Sequence, residues 1–155
     1  MQLHTATSGS GEHHVGLIHG LGADGTTWQP LIDLMLATGR YTVTTVDLRG
    51  HGRSDRSSSY TLGELADDVV ESLPQGLHSV VGHSLGGAVL VRAVERLRPS
   101  HAVYLDPGFR LALPTTGGRG GPASGRRSGR RLGAHGGQSR EDGARSGVWF
   151  DAGMP

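Results

Sequence analysis

The chain has 155 residues, with 15 Arg and no Lys, 14 acidic residues and no cysteine, for a formal net charge of +1. That length carries one domain with its own core, and the lack of cysteine excludes a disulfide framework or a thiolate metal site. No apolar run is long enough for a membrane span; Met1–Thr5 has neither the basic nor the apolar region of a secretory signal, so the expected location is cytoplasmic.

Met1–Thr7 can form a short strand before the turn residues Ser8–Gly11. Val15–Ile18 is a short apolar run that fits a buried strand. It ends in the Gly-rich loop His19-Gly20-Leu21-Gly22. Thr26-x-x-Gln29 matches a helix capping box. Trp28, Leu31, Ile32 and Met35 follow at the spacing of one helix face, which places Trp28 in the core. Gly39 stops this helix.

Tyr41–Val46 is a β-branched strand that runs into Asp47-Leu48-Arg49-Gly50-His51-Gly52-Arg53-Ser54. Thr61-x-x-Glu64 is a second capping box. Leu62, Leu65, Ala66, Val69, Val70 and Leu73 then form an apolar stripe, with Asp67-Asp68 assigned to the wet face and Pro74 as the stop. Ser79–Val81 is a strand, Ser84 to about Arg98 a helix, and Ala102–Leu105 a last strand ending at Asp106-Pro107. Strands alternating with amphipathic helices predict an α/β fold, with a mostly parallel sheet and helices on both faces. Functional residues of such a sheet lie at the carboxyl ends of strands, where His19, Asp47, Ser84 and Asp106 fall.

The stretch Gly82-His83-Ser84-Leu85-Gly86 joins a β-branched strand to an apolar helix. A serine at the tip of such a turn is a nucleophile elbow. Gly82 and Gly86 allow strand and helix to approach because neither has a Cβ. The helix N-terminus beside Ser84 favours negative charge developing there.

With three landmarks in order, His19–Gly22, Asp47–Ser54 and Gly82–Gly87, residues 1–114 resemble the N-terminal part of the α/β-hydrolase fold family. The resemblance implies Ser84 as nucleophile, with the N–H groups of Leu21 and Leu85 as oxyanion-hole donors. It implies structural roles for His19, Gly20, Asp47, Gly50, Gly52, Gly82 and Gly86. Serine rather than aspartate at position 84 implies acyl transfer to water from a small-molecule acyl substrate, as in an esterase, lipase, thioesterase or amidase. No cofactor or metal is implied. The family order of serine, acid, histidine makes Asp106 the candidate acid; the competing reading is that Asp106 caps the turn before Pro107.

The histidine is the weak point of that reading. After Ser84 only His101 and His135 remain. His101 opens a strand at its amino end, on the wrong side of the sheet, and no strand precedes His135. The side chain of His83 should point away from the serine hydroxyl. A second expectation therefore stands beside the first: a catalytically impaired, truncated fragment without a triad histidine. His13-His14 lacks metal-ligand spacing, and His51 shapes its loop.

Residues 115–155 differ in kind: they hold 12 of the 27 glycines and seven Arg against three acidic residues. Of Leu, Ile and Val they contain only Leu132 and Val148, too little apolar surface to offset ordering entropy. A boundary is expected at 115. Three readings fit the tail: an Arg/Gly nucleic-acid arm, a solvated linker, or an out-of-frame translation of a GC-rich gene. No aromatic is interleaved with the arginines, which argues against the first. The immediate loss of hydrophobic periodicity favours the third.

Overall fold

The computed structural model describes residues 1–107. The expected boundary at 115, the tail and His135 lie outside the described residues. The elements are β1 (Thr5–Gly9), β2 (His13–Ile18), a 3-10 turn (Gly25–Trp28), α1 (Gln29–Leu36), β3 (Tyr41–Val46), α2 (Leu62–Ser72), β4 (Ser79–His83), α3 (Leu85–Leu97) and β5 (His101–Leu105). They form a five-stranded sheet in the order β1-β3-β2-β4-β5. β1 pairs antiparallel with β3, and all other pairs are parallel.

Alternation along the strands sends side chains into two cores, one on each face. Val15 and Leu17 of β2 and Val43 of β3 pack with Trp28 and Ile32, so α1 covers one face. Ile18, Val46 and Val80 point the other way, into a core with Leu65, Val69, Val89 and Leu97 of α2 and α3. Leu17, Ile18, Val46, Val69, Val89 and Leu97 are fully buried. Each contributes on the order of 2 kcal/mol by leaving water.

The predicted elements match these in kind and order, except that β1 runs on through Ser8 and Gly9, the residues expected in the turn, because both pair with β3. There are two further local corrections. The Thr26/Gln29 capping box does not form. Asp24, two residues earlier, accepts the Thr26 N–H at 2.8 Å, and the Gln29 amide turns forward to Asp33. The turn that opens there is 3-10, so the cap sits one turn ahead of the α-helix proper. The second capping box forms as expected between Thr61 and Glu64.

The other correction concerns Asp67-Asp68. Asp67 is exposed and pairs with Arg96, but Asp68 is 1% exposed. Its carboxylate accepts from Arg49 Nε at 2.6 Å and Nη2 at 2.9 Å. Arg49 also donates to the Ser59 carbonyl, so the pair fastens the loop after β3 onto α2. Burial pushes the Asp68 carboxyl up, but hydrogen bonds from Arg49 and from the Met1 amino group outweigh it and hold it below the usual range.

Candidate active site

Four loops meet at the carboxyl ends of the parallel strands. β4 delivers Ser84 with φ +49° and ψ −112°, outside the regions that ordinary residues occupy. Close packing compels this. A Cβ on Gly82 would lie 2.5 Å from the Gly86 carbonyl oxygen, and one on Gly86 would collide with the Ile18 carbonyl. Strand and helix therefore turn about Ser84 with glycine on both sides. The Ser84 N–H donates to the Leu105 carbonyl at 3.0 Å, tying the elbow to the end of β5. The Ser84 hydroxyl makes no capping hydrogen bond to α3, although Ser84 is the N-cap residue.

Two candidate donors flank the serine. Leu85 opens α3, and the first N–H groups of a helix have no intrahelical acceptor. Leu21 lies in the loop after β2, with its side chain 61% exposed. Among the described residues its N–H makes no hydrogen bond. Gly20 places this loop against the elbow: a Cβ there would sit 3.3 Å from Ser84 Cβ and 3.0 Å from His83 Nδ1.

The loops are held by buried polar contacts. His19 is 1% exposed and bridges Gly20 to Leu48. Burial lowers its pKa, and the hydrogen bond with Gly20 opposes this only in part. Asp47 accepts from the Gly25 N–H at 2.7 Å and the Arg53 N–H at 2.9 Å, and His4 lies 3.2 Å away. Its carboxylate is occupied by loop architecture. Gly50 and Gly52 take positive φ, and a Cβ on Gly52 would strike that carboxylate. His51 Nδ1 lies 3.0 Å from the Arg49 carbonyl, within its own loop.

Asp106 follows β5 with φ +42°, exposed and next to Leu105, whose carbonyl holds the elbow. Among the described residues its carboxylate has no hydrogen-bond partner, and no histidine is hydrogen-bonded to Ser84. His101 starts β5 at the far end of the sheet, with Nδ1 3.2 Å from the His78 carbonyl. Ser84, Leu21, Leu85 and Asp106 are thus brought to one end of the sheet, and His101 is not. A cavity of about 420 Å³ opens elsewhere, lined by His4, Asp24, Gln29, Thr45 and Arg53 among others, without Ser84.

Sequence reading passed over one relationship. Trp28 packs in the core as expected, yet its Nε1 is the buried side-chain donor without a hydrogen-bond partner among the described residues. Its indole meets the His83 ring edge-on, at 6.5 Å between centroids and 87° between planes. The period-2 alternation of β4 could have signalled this, because it puts His83 on the α1 side with Val81.

A family model described as the alpha/beta hydrolase family matches residues 17–154. The chain is similar to pimeloyl-[acyl-carrier protein] methyl ester esterases. It is 39% identical to that of Methylococcus capsulatus over 68% of this chain and 39% of the relative. It is 37% identical to that of Proteus mirabilis over 59% of this chain and 34% of the relative. The chain thus spans about two-fifths or less of the length of these relatives. Among solved structures, a marine microorganism esterase superposes with TM-score 0.60 at 21% identity, covering 66% of this chain and 41% of that one. The monoacylglycerol lipase of Paleococcus ferrophilus gives TM-score 0.57 at 32% identity, covering 69% and 44%. No helix among the described residues is long and apolar enough to cross a membrane.

Proposed function

Since this chain belongs to the alpha/beta hydrolase family, we propose that it carries the nucleophilic half of a serine esterase site, with Ser84 attacking the carbonyl of a carboxylic ester. The observation that carries this reading is Ser84 itself. It sits at a strained φ of +49° at a helix N-terminus, with its hydroxyl unused in capping. Strain of this kind costs on the order of 1–3 kcal/mol and persists where the surroundings enforce it. Attack by Oγ on the acyl carbon forms a tetrahedral oxyanion. The Leu21 and Leu85 N–H groups stabilise that oxygen, at about 3 kcal/mol each. Collapse expels the alcohol and leaves an acyl-serine, which water then cleaves to the acid and free Ser84. The names of the relatives suggest the first substrate to try, a methyl ester of an acyl chain.

The proton on Oγ needs an acceptor, because a serine hydroxyl is a poor nucleophile at its ordinary pKa. The histidine after Pro107 is His135, and Asp106 is the acid that would orient it. The alternative reading is an impaired chain without a base. In a comparable serine enzyme, loss of the histidine costs about 10⁶-fold in turnover and leaves roughly 10³–10⁴-fold over water.

Labelling with a fluorophosphonate, together with p-nitrophenyl ester turnover, tests both readings. Labelling that disappears in Ser84→Ala supports an activated serine. Weak turnover that His135→Ala leaves unchanged supports the impaired chain. Absence of labelling in folded wild-type protein removes the enzyme reading for this chain.

A further inference from the structure

The loop from Gly20 to Trp28 carries the Leu21 donor, and among the described residues none of its hydrogen bonds runs to the elbow that carries Ser84. Ala23 N–H to Gly20 and Thr27 N–H to Asp24 are turns internal to the loop. Outside itself the loop is tied to the neighbouring strand ends, with the Gly20 carbonyl held by His19 Nδ1 at 2.7 Å and the Gly25 N–H donating to Asp47 at 2.7 Å, but the side chain of the elbow that it packs against is His83. At its start, Gly20 faces the Nδ1–Cε1 edge of that imidazole: a Cβ there would be 3.0 Å from Nδ1 and 3.4 Å from Cε1. At its end, Trp28 meets the same ring edge-on. Trp28 is itself immobilised, 8% exposed among Val15, Leu17, Ile32 and Val43. The imidazole therefore stands between the two ends of the loop, and its backbone belongs to the elbow, one residue before Ser84.

We propose that His83 is a positioning residue: its ring seats the Gly20–Trp28 loop and so sets the distance between the Leu21 N–H and Ser84 Oγ. This deepens the reading of Ser84 as nucleophile and rests on it. His83 needs no proton transfer for this task. A flat ring of the right size is required, since Gly20 lies against its edge and leaves no room for a larger spacing. Removal of the ring leaves the loop held by Trp28, by Asp47 at Gly25 and by His19 at the Gly20 carbonyl, but takes away the spacer between Gly20 and the elbow, so Leu21 shifts relative to Ser84. An oxyanion donor acts in the transition state rather than on bound substrate, so the loss falls on kcat and not on KM.

The test compares His83→Ala and His83→Phe in the full chain carrying Trp149→Phe, which makes Trp28 the single tryptophan. With p-nitrophenyl acetate, His83→Ala should lower kcat by roughly ten- to hundredfold with KM changed less than about twofold, the scale of a misplaced catalytic group. His83→Phe should recover most of the loss. Fluorophosphonate labelling rates should follow the same order. Equal kcat in His83→Ala and the parent overturns the proposal, as does a folded His83→Phe no better than His83→Ala. If the parent neither turns over nor labels, the reading of Ser84 has failed, and Trp28 emission decides the positioning claim. His83→Ala should then shift that emission to longer wavelength and His83→Phe should restore it. Unchanged emission in His83→Ala shows that the ring does not seat the loop.

Discussion

The Leu48 N–H donates to His19 Nε2 at 2.9 Å, and this bond fixes the protonation state of a buried imidazole. Nε2 must be the acceptor, so the proton resides on Nδ1, which donates to the Gly20 carbonyl at 2.7 Å. One neutral ring thus ties the loop after β2 to the loop after β3. Protonation would place a second N–H against that of Leu48. Burial, partly opposed by the Gly20 hydrogen bond, lowers the folded pKa of His19 below the usual 6.5. The unfolded chain then binds the proton more readily than the folded one. The contribution of His19 to stability is complete above 6.5 and is lost as pH falls through the lowered folded value. His19→Gln keeps an acceptor for Leu48 without an ionisable ring. Its denaturation midpoint should fall at pH 7.5 by an amount equivalent to about 1–2 kcal/mol, and its stability should change less than the wild type's between pH 7 and 5. Parallel pH profiles of the two proteins would falsify this assignment.

The Arg49–Asp68 pair gives a larger effect from a similar principle. Both side chains are almost wholly buried, and Asp68 receives two hydrogen bonds from the guanidinium. Arg49→Met leaves the Asp68 carboxylate without its main partner in a nonpolar setting, which costs about 3–5 kcal/mol. The melting temperature should drop on the order of 10 °C for a chain of this size. Adding Asp68→Leu to Arg49→Met should recover much of the loss, because the buried carboxylate is gone and the partly exposed Met1 amino group keeps Glu71 as its partner at 3.0 Å. Differential scanning calorimetry of the three variants measures this. A double variant as unstable as the single one would contradict the account.

These two networks show where reading from sequence reaches and where it stops. The sheet was legible because its strands are short apolar or β-branched runs between amphipathic helices, and that signal is local. The elbow was legible because Gly82 and Gly86 flank Ser84 at the one junction of strand and helix where both are needed. Asp68 was misplaced because the charge was read ahead of the spacing. It stands at i+3 from Leu65 and directly before Val69, on the apolar stripe itself. Its partner Arg49 is 19 residues away in a loop, so no local pattern announces the pair. The failed Thr26 cap has a similar cause: Asp24 offers a carboxylate two residues earlier and opens a 3-10 turn instead.

Backbone strain at Ser84 makes a prediction opposite in sign to most active-site substitutions. At φ +49° the Cβ is unfavourable, and glycine removes that cost. Ser84→Gly should stabilise the fold by about 1 kcal/mol, after the entropy that glycine adds to the unfolded chain is deducted. Ser84→Ala keeps a Cβ and should be near wild type in stability. Both should abolish fluorophosphonate labelling. Urea denaturation of the pair separates strain from loss of the hydroxyl. Equal stabilities would show that the elbow costs the fold nothing.

At the opposite end of the sheet, three histidines lie side by side at the amino ends of β2, β4 and β5. The His78 ring lies tilted against that of His13, with centroids 4.4 Å apart and 35° between planes, and against that of His101 at 5.2 Å and 54°. Arg40 lies 3.4 Å from His13, and Glu12 contacts the same imidazole. His78 has its pKa lowered, first by burial and then by repulsion from His13, His101 and Arg40. Its contribution to stability is complete above the usual 6.5 and declines as pH falls through the lowered value. The sign is that of His19, but the location differs, so the two effects should add. Proton NMR of the imidazole Cε1–H signals resolves them. In wild type the His78 signal should titrate below 6.5. Replacing Arg40 with Gln removes one positive charge from the row and should move that midpoint up. The His19 midpoint should stay where it was, because its ring is bonded to Gly20 and Leu48 at the other end of β2. A His78 midpoint that ignores Arg40→Gln would remove Arg40 from the causes of its shift and leave burial and the neighbouring histidines.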